Sequence, residues 1–281
     1  MKKKILILGS EGQVGLHLKS YLKSKNYNVM GFDIVEKNNQ DLRKFNNKLL
    51  ISKIKKSDFI YFLAFDVGGS RYLKKYQNTF EFLSNNIRIM ENTFTLIKKF
   101  KKPFLFASSQ MSNMTYSNYG ILKNLGEKYS QILDGLVVKF WNVYGIEHDL
   151  NKSHVITDFI LKGIKKKKIN MLTDGQEVRD FLYAEDCCIG LEKIMLKYKE
   201  IKRLKKSIDL TSTKYVKIIY VANIIKKLLL KKNIKIKIIP SKLKDSVQLN
   251  KKNKADRYLF KFWKPKFSLE EGISKIIDNY I

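Results

Sequence analysis

The chain has 281 residues, with 56 lysines and arginines against 26 aspartates and glutamates, a formal net charge of +30. With 44 % hydrophobic and 12 % aromatic residues it is too apolar for a disordered chain, and its length suits one larger α/β domain or a main domain with a small lobe. No run of about 18 apolar residues is present for a membrane span, the basic start MKKKILILGS lacks the long apolar core of a signal peptide, and the adjacent Cys187 and Cys188 make neither a disulfide framework nor a metal-ligand spacing. A cytoplasmic protein without metal is expected.

Lys4 to Leu8 is an apolar, β-branched run ending at Gly9, and a helical pattern follows from Val14 to Lys25. Asn28 to Phe32 reads as a second strand, closing at Asp33, so a βαβ start is predicted. Asp58 to Phe65 (DFIYFLAF) is almost unbroken apolar sequence, as in a strand buried on both faces. A helix is predicted from about Gln77 to Phe100, a strand from Phe104 to Ser108, a helix from Tyr119 to Leu133 and a strand from Leu136 to Asn142. This alternation predicts an α/β fold, a Rossmann-type doubly wound parallel sheet. Residues 1–150 would form the main part, built on the glycine-rich turn after the first strand. Residues 151–281 would form a smaller mixed substrate lobe, interleaved with the end of the sheet, with strands near Ile169–Leu172, Ile208–Leu210 and Ile234–Ile239.

The charge itself invites a nucleic-acid reading. The lysines, however, are spread over nearly every element, as at Lys165 to Lys168, Lys205–Lys206, Lys226–Lys227 and Lys251–Lys252, and no nucleic-acid motif accompanies them. No specific nucleic-acid partner is expected. A non-catalytic Rossmann-type binder of polyanions stands as the alternative from another functional class.

Gly9-Ser-Glu-Gly12-Gln-Val-Gly15 leaves the first strand and opens the first helix. A tight turn, close backbone approach and free helix N–H groups are what a pyrophosphate needs. A carboxylate at Asp33 can accept from an adenosine ribose and repel a 2′-phosphate, and Glu11 adds negative charge beside it, so NAD is favoured over NADP. Tyr119-Gly-Ile-Leu-Lys123 sets a phenol and an ammonium four residues apart on one helix face. The lysine beside it, near a cationic nicotinamide, is expected to lower the phenol pKa, making it a base near neutral pH. Ser108 or Ser109, at the preceding strand end, would hydrogen-bond the same substrate oxygen.

With these motifs the sequence resembles, over almost its whole length, the extended short-chain dehydrogenase/reductase family that acts on nucleotide sugars. GSEGQVG, Asp41-Leu42, Phe62-Leu63-Ala64, SSQ…YGILK, WNVYG from Trp141, DGQEVRDFLYAED from Asp174 and the tail KADRYLFKFWKPKFSLEEGI carry that likeness. The resemblance implies NAD held by Gly9, Gly12, Gln13, Val14, Gly15, Asp33, Asp41, Leu42, Leu63, Ala64 and Asn86, with Tyr119 and Lys123. It implies chemistry at carbon 4 by Tyr119, Lys123 and Ser109 (or Ser108), and substrate contacts from Asn142, Arg179, Lys242 and Lys244, the last three on a diphosphate. A homodimer through the helices near 77–100 and 119–133 is expected.

Val67-Gly68-Gly69, Asn86 to Asn92 and Ser153-His154-Val155-Ile156 are most similar to the GDP-fucose-synthase-like branch, in which the histidine is a catalytic acid. That likeness favours a GDP-linked mannose-type hexose or heptose, destined for capsule or another surface polysaccharide. Gln110 stands where that branch has its epimerising cysteine, and Gln110-Met111 where the dehydratases have Asp-Glu. A 4-epimerase or 4-dehydrogenase is therefore expected, with a 4-ketoreductase as the alternative. The short segment from Ser109 to Tyr119 is expected to reshape the pocket.

Overall fold

The computed structural model describes residues 3–248 and 254–281, so the Lys251–Lys252 pair lies outside the described residues. The chain opens β1 (Lys4–Leu8), α1 (Gln13–Ser24), β2 (Asn28–Phe32), α2 (Lys48–Lys56), β3 (Phe59–Phe62), α3 (Ser70–Tyr76) and α4 (Phe80–Phe100). It continues β4 (Phe104–Ser109), α5 (Asn118–Ile132), β5 (Leu136–Phe140), β6 (Asn142–Tyr144), α6 (Val155–Lys166), β7 (Lys168–Asn170), β8 (Val178–Tyr183) and α7 (Ala184–Leu196). It closes α8 (Tyr198–Lys202), β9 (Ile208–Leu210), β10 (Tyr215–Lys217), α9 (Ile218–Leu230), β11 (Lys237–Ile239) and α10 (Leu269–Tyr280).

Six strands pair in parallel in the order β2-β1-β3-β4-β5-β9. The order reverses between β1 and β3, the place where ligands seat outside the carboxyl ends of an open α/β sheet. The central strands are apolar because both faces are covered. One face packs Ile5, Ile7, Tyr61 and Leu105 under α1 and α7; the other packs Leu6, Phe62, Phe104 and Phe106 under α2 and α4. A third core joins α6, α9 and α10 to the small sheets β10-β8-β6 and β11-β7. Thus α7 and β9, both beyond residue 150, pack with the main sheet rather than with the lobe.

Several predicted elements have other bounds in the structure: Asp58–Phe65 pairs only over Phe59–Phe62, the strand near Ile234–Ile239 begins at Lys237, and two more have a clear local cause. The strand expected over Leu136–Asn142 stops at Phe140, because Asn142 Nδ2 donates to the Asp180 carbonyl (2.8 Å) and β6 pairs with β8 in another sheet. The helix expected from Gln77 begins at Phe80, where the Thr79 hydroxyl caps the Phe82 N–H at 3.2 Å. Among the described residues, no helix is long and apolar enough to cross a membrane.

Candidate active site

A cavity of about 730 Å³, well within the range of small-molecule sites, runs along the carboxyl ends of β1, β3, β4 and β5. Its nucleotide end is built of backbone. Gly9 has φ +84°, and a Cβ there would stand 2.7 Å from Ala64 backbone atoms. A Cβ on Gly15 would stand 2.0 Å from the Gly9 carbonyl oxygen, so only glycine lets the loop fold against α1. The N-cap of α1, Gly12, has no side chain to satisfy the first-turn N–H groups, which is the arrangement an anion completes. Gln13 Nε2 is buried without a hydrogen-bond partner, a further donor for a ligand. These residues fit a dinucleotide.

Asp33 accepts from the N–H groups of Glu11 and Val35, each at 3.0 Å, and Glu11 pairs with Lys19 at 2.6 Å. Asp41 is gripped by Arg43 (2.9 Å from Nε and 3.0 Å from Nη2), whose Nη1 also reaches Asn85. Burial pushes the Asp41 carboxyl up, but the Arg43 hydrogen bonds outweigh it and hold it below its ordinary value. Arg43 lines the cavity and was not legible beforehand; its only signal is a position two residues after Asp41. Every cofactor residue expected from the sequence lines this cavity except Asn86. Asn86 instead takes the Asp66 N–H at 2.7 Å and donates to the Asp66 and Phe82 carbonyls, pinning the cavity wall from behind.

At the chemistry end, Tyr119, Lys123, Ser108, Ser109, Asn142 and His154 all reach the cavity. The two serines differ in their partners. Ser109 hydrogen-bonds the Tyr119 phenol and its Oγ accepts from Met111 N–H at 3.1 Å. Ser108 donates its hydroxyl to Glu127 at 2.5 Å instead. Gly120 is required by the short preceding loop, since a Cβ there would stand 2.4 Å from the Met111 carbonyl oxygen.

In the protein alone, without the nicotinamide cation that the expectation included, the phenol is raised. Burial pushes Tyr119 up to about 12, with the Ser109 hydrogen bond pulling the other way. Lys123 Nζ donates to the Ala107 carbonyl at 2.7 Å and sits 3.7 Å from the centroid of the Phe65 ring and 5.7 Å from that of Tyr119. Burial pushes Lys123 down to about 7, against the pull of Glu127.

His154 Nδ1 lies 2.6 Å from Glu147 Oε1, and its backbone N–H donates to Oε2 at 3.0 Å. Burial raises the Glu147 carboxyl, but the His154 hydrogen bonds outweigh it and keep it below the usual range. Glu147, another residue missed by motif reading, orients the imidazole. The Gly68-Gly69 loop abuts this segment: Gly69 N–H donates to the Lys152 carbonyl at 3.0 Å, and a Cβ there would stand 2.4 Å from the Ser153 oxygen.

Three expected diphosphate contacts are not placed in the cavity. Arg179 is ion-paired with Asp245 and donates to the Val178 and Gln248 carbonyls; Gln248, not Arg179, lines the cavity. Lys242 is exposed, and Lys244 pairs with Asp174 on the exterior. Gln110 turns to Gln248, with Nε2 donating to Oε1 at 3.0 Å.

The profile of the NAD dependent epimerase/dehydratase family matches residues 5–206. An uncharacterised UDP-glucose epimerase of Bacillus subtilis is 27 % identical over 240 residues, 68 % of this chain and 72 % of its own. The GDP-L-fucose synthase of Sinorhizobium fredii is 31 % identical over 147 residues, half of this chain and 45 % of its own. The structure of UDP-glucuronic acid 4-epimerase from Bacillus cereus, with UDP-glucuronic acid and NAD, superposes with a TM-score of 0.79 at 20 % identity, covering 99 % of this chain and all of that one.

Proposed function

The chain belongs to the NAD dependent epimerase/dehydratase family, and from that membership we propose that it transfers hydride at carbon 4 of a nucleotide sugar, as a 4-epimerase or 4-dehydrogenase of surface-polysaccharide synthesis in the cytoplasm. The observation that carries this reading is the convergence of Tyr119, Ser109 and Lys123 with the glycine loop in one cavity. NAD, when bound, accepts the hydride. Tyr119 exchanges the proton of the substrate oxygen, Ser109 aligns that oxygen by hydrogen bonding, and Lys123 supplies the positive charge a phenolate needs beside it. Asn142 and His154 contact the sugar. Arg179 serves the diphosphate only on exchanging its Asp245 carboxylate for phosphate. A second reading, a 4-ketoreductase, draws on the raised phenol, which is protonated and ready to give a proton to a ketone oxygen.

The likeness of the Gly68-Gly69 loop and the His154 segment to the GDP-fucose-synthase-like branch, now packed against each other, supports a GDP-linked mannose-type hexose or heptose. Asp33 supports NAD over NADP. Melting temperature tests both, because a ligand of the folded state raises it with affinity. GDP is expected to raise it more than UDP, dTDP or CDP with NAD present, and NAD more than NADP. A clearly larger shift with UDP overturns the GDP preference; no shift with any of the four overturns the nucleotide-sugar reading.

An exposed stripe of Ile121, Leu125, Tyr129 and Ile132 along α5, with Phe80 and Ile87 exposed on α4, supports a homodimer through these helices. Light scattering is expected to give twice the 33.0 kDa chain mass, and Leu125→Glu to return the protein to monomers.

A further inference from the structure

Beneath the reacting pair lies a buried carboxylate that the hydride-transfer reading leaves unused. Glu127 is on α5, one turn beyond Lys123 and two beyond Tyr119, so the three side chains stack on one helix face. It is 6 % exposed. Oε1 accepts the Ser108 hydroxyl at 2.5 Å, and Oε2 lies 3.5 Å from Lys139 Nζ on β5. Lys139 pairs in register with Asp209 of β9, whose carboxylate takes the Trp141 indole N–H at 2.9 Å. Lys123 is itself 4 % exposed, and its remaining surroundings are the Ala107 carbonyl and the rings of Phe65, Phe106 and Tyr119. Among the described residues, the charged groups nearest Lys123 are Glu127, one turn on along the same helix face, and behind that carboxylate the opposing cation Lys139.

We propose that Glu127, held by Ser108, is a positioning residue that keeps Lys123 an ammonium ion beside Tyr119 in competition with Lys139. The proposal rests on the reading of Tyr119 and Lys123 as the hydride-transfer pair. An ammonium desolvated this far loses its proton near neutral pH unless an anion faces it. Burial does push Lys123 down to about 7, and Glu127 is the group that opposes the fall. The arrangement also explains why the strand end carries two serines with different tasks: Ser109 serves the phenol, and Ser108 holds the carboxylate.

The test is the titration of the Lys123 side-chain nitrogen by [15N]lysine NMR, in the folded protein without substrate. Glu127→Gln keeps the shape and an acceptor for Ser108 but removes the charge. It is expected to move the Lys123 midpoint down by about one unit, a roughly tenfold loss of ammonium. The alkaline limb of the kcat profile should shift acidward by the same amount, and Glu127→Asp should restore most of both. Lys139→Met, which removes the competing cation, is expected to raise the midpoint and keeps the idea testable if Glu127→Gln does not fold. A Glu127→Gln protein that melts lower but titrates at Lys123 like the parent, or a Lys139→Met protein with an unmoved midpoint, overturns the proposal and leaves Glu127 as a counter-ion only. The NMR readout needs no turnover, so absence of activity toward nucleotide sugars would defeat the functional reading without deciding this one.

Discussion

Tyr119→Phe is expected to lower turnover about 10²–10⁴-fold, the usual loss when a positioned acid or base is removed. The ring stays: it packs edge-on against Phe65, with centroids 5.8 Å apart, and phenylalanine keeps that contact. What goes is the one hydroxyl that meets Ser109 and faces the cavity. Because the change removes an interaction made in the transition state, kcat and kcat/KM should fall together while affinity for the nucleotide stays nearly constant. Parallel steady-state kinetics and calorimetric titration with the nucleotide check this. An unchanged rate would remove Tyr119 from the chemistry.

The second large effect is expected at the glycine loop. In Gly15→Ala the new methyl would lie 2.0 Å from the Gly9 carbonyl oxygen, and that carbonyl cannot retreat freely. Gly9 already sits at φ +84°, and the place a Cβ would take there lies 2.7 Å from Ala64 backbone atoms. The loop must therefore shift away from the end of β3, which costs about 1–3 kcal/mol of overpacking and lowers the melting temperature by several degrees, roughly 2–4 °C for each kcal/mol in a chain of this size class. Affinity for NAD should fall at least about tenfold, since backbone N–H groups of this loop would hold the pyrophosphate. Gly12→Ala is the control: its methyl would meet the Gly9 oxygen at 3.5 Å, an ordinary contact, so the fold should melt where the parent does. Calorimetric melting and NAD titration of the two variants separate packing from binding.

Where the sequence was legible, the determinants were local. Lys4–Leu8 and Asn28–Phe32 are bounded as their apolar runs suggest, and the glycine loop and the Tyr119–Lys123 helix turn need only their own neighbours to be placed. What was not legible depends on partners far along the chain. The strand through Asn142 breaks because the Asp180 carbonyl, 38 residues on, draws its amide to another sheet. Arg179 looked free to grip phosphate, yet Asp245, 66 residues away, is its partner. Lys242 and Lys244 had only charge to recommend them, and in so basic a chain charge says little about place. The phenol expectation joined the lysine to a cationic nicotinamide; in the protein alone burial raises the phenol, only the Ser109 hydrogen bond opposes it, and the Lys123 ammonium meets the Ala107 carbonyl and the Phe65 ring. Glu127 and Glu147 carry no motif at all; they are known by what they touch.

On the proposed function, this cavity moves hydride between a sugar carbon and nicotinamide under the control of Tyr119. The most direct measurement is the absorbance of reduced nicotinamide when nucleotide sugars are added one at a time to the protein loaded with NAD. At least one GDP-sugar is expected to raise that absorbance within a single turnover, and the same addition to the Tyr119→Phe protein is expected to leave it flat. Were no nucleotide sugar to change the spectrum while the protein bound polyanions with an affinity that collapsed in salt, the account would be contradicted and the +30 charge would become the feature to explain.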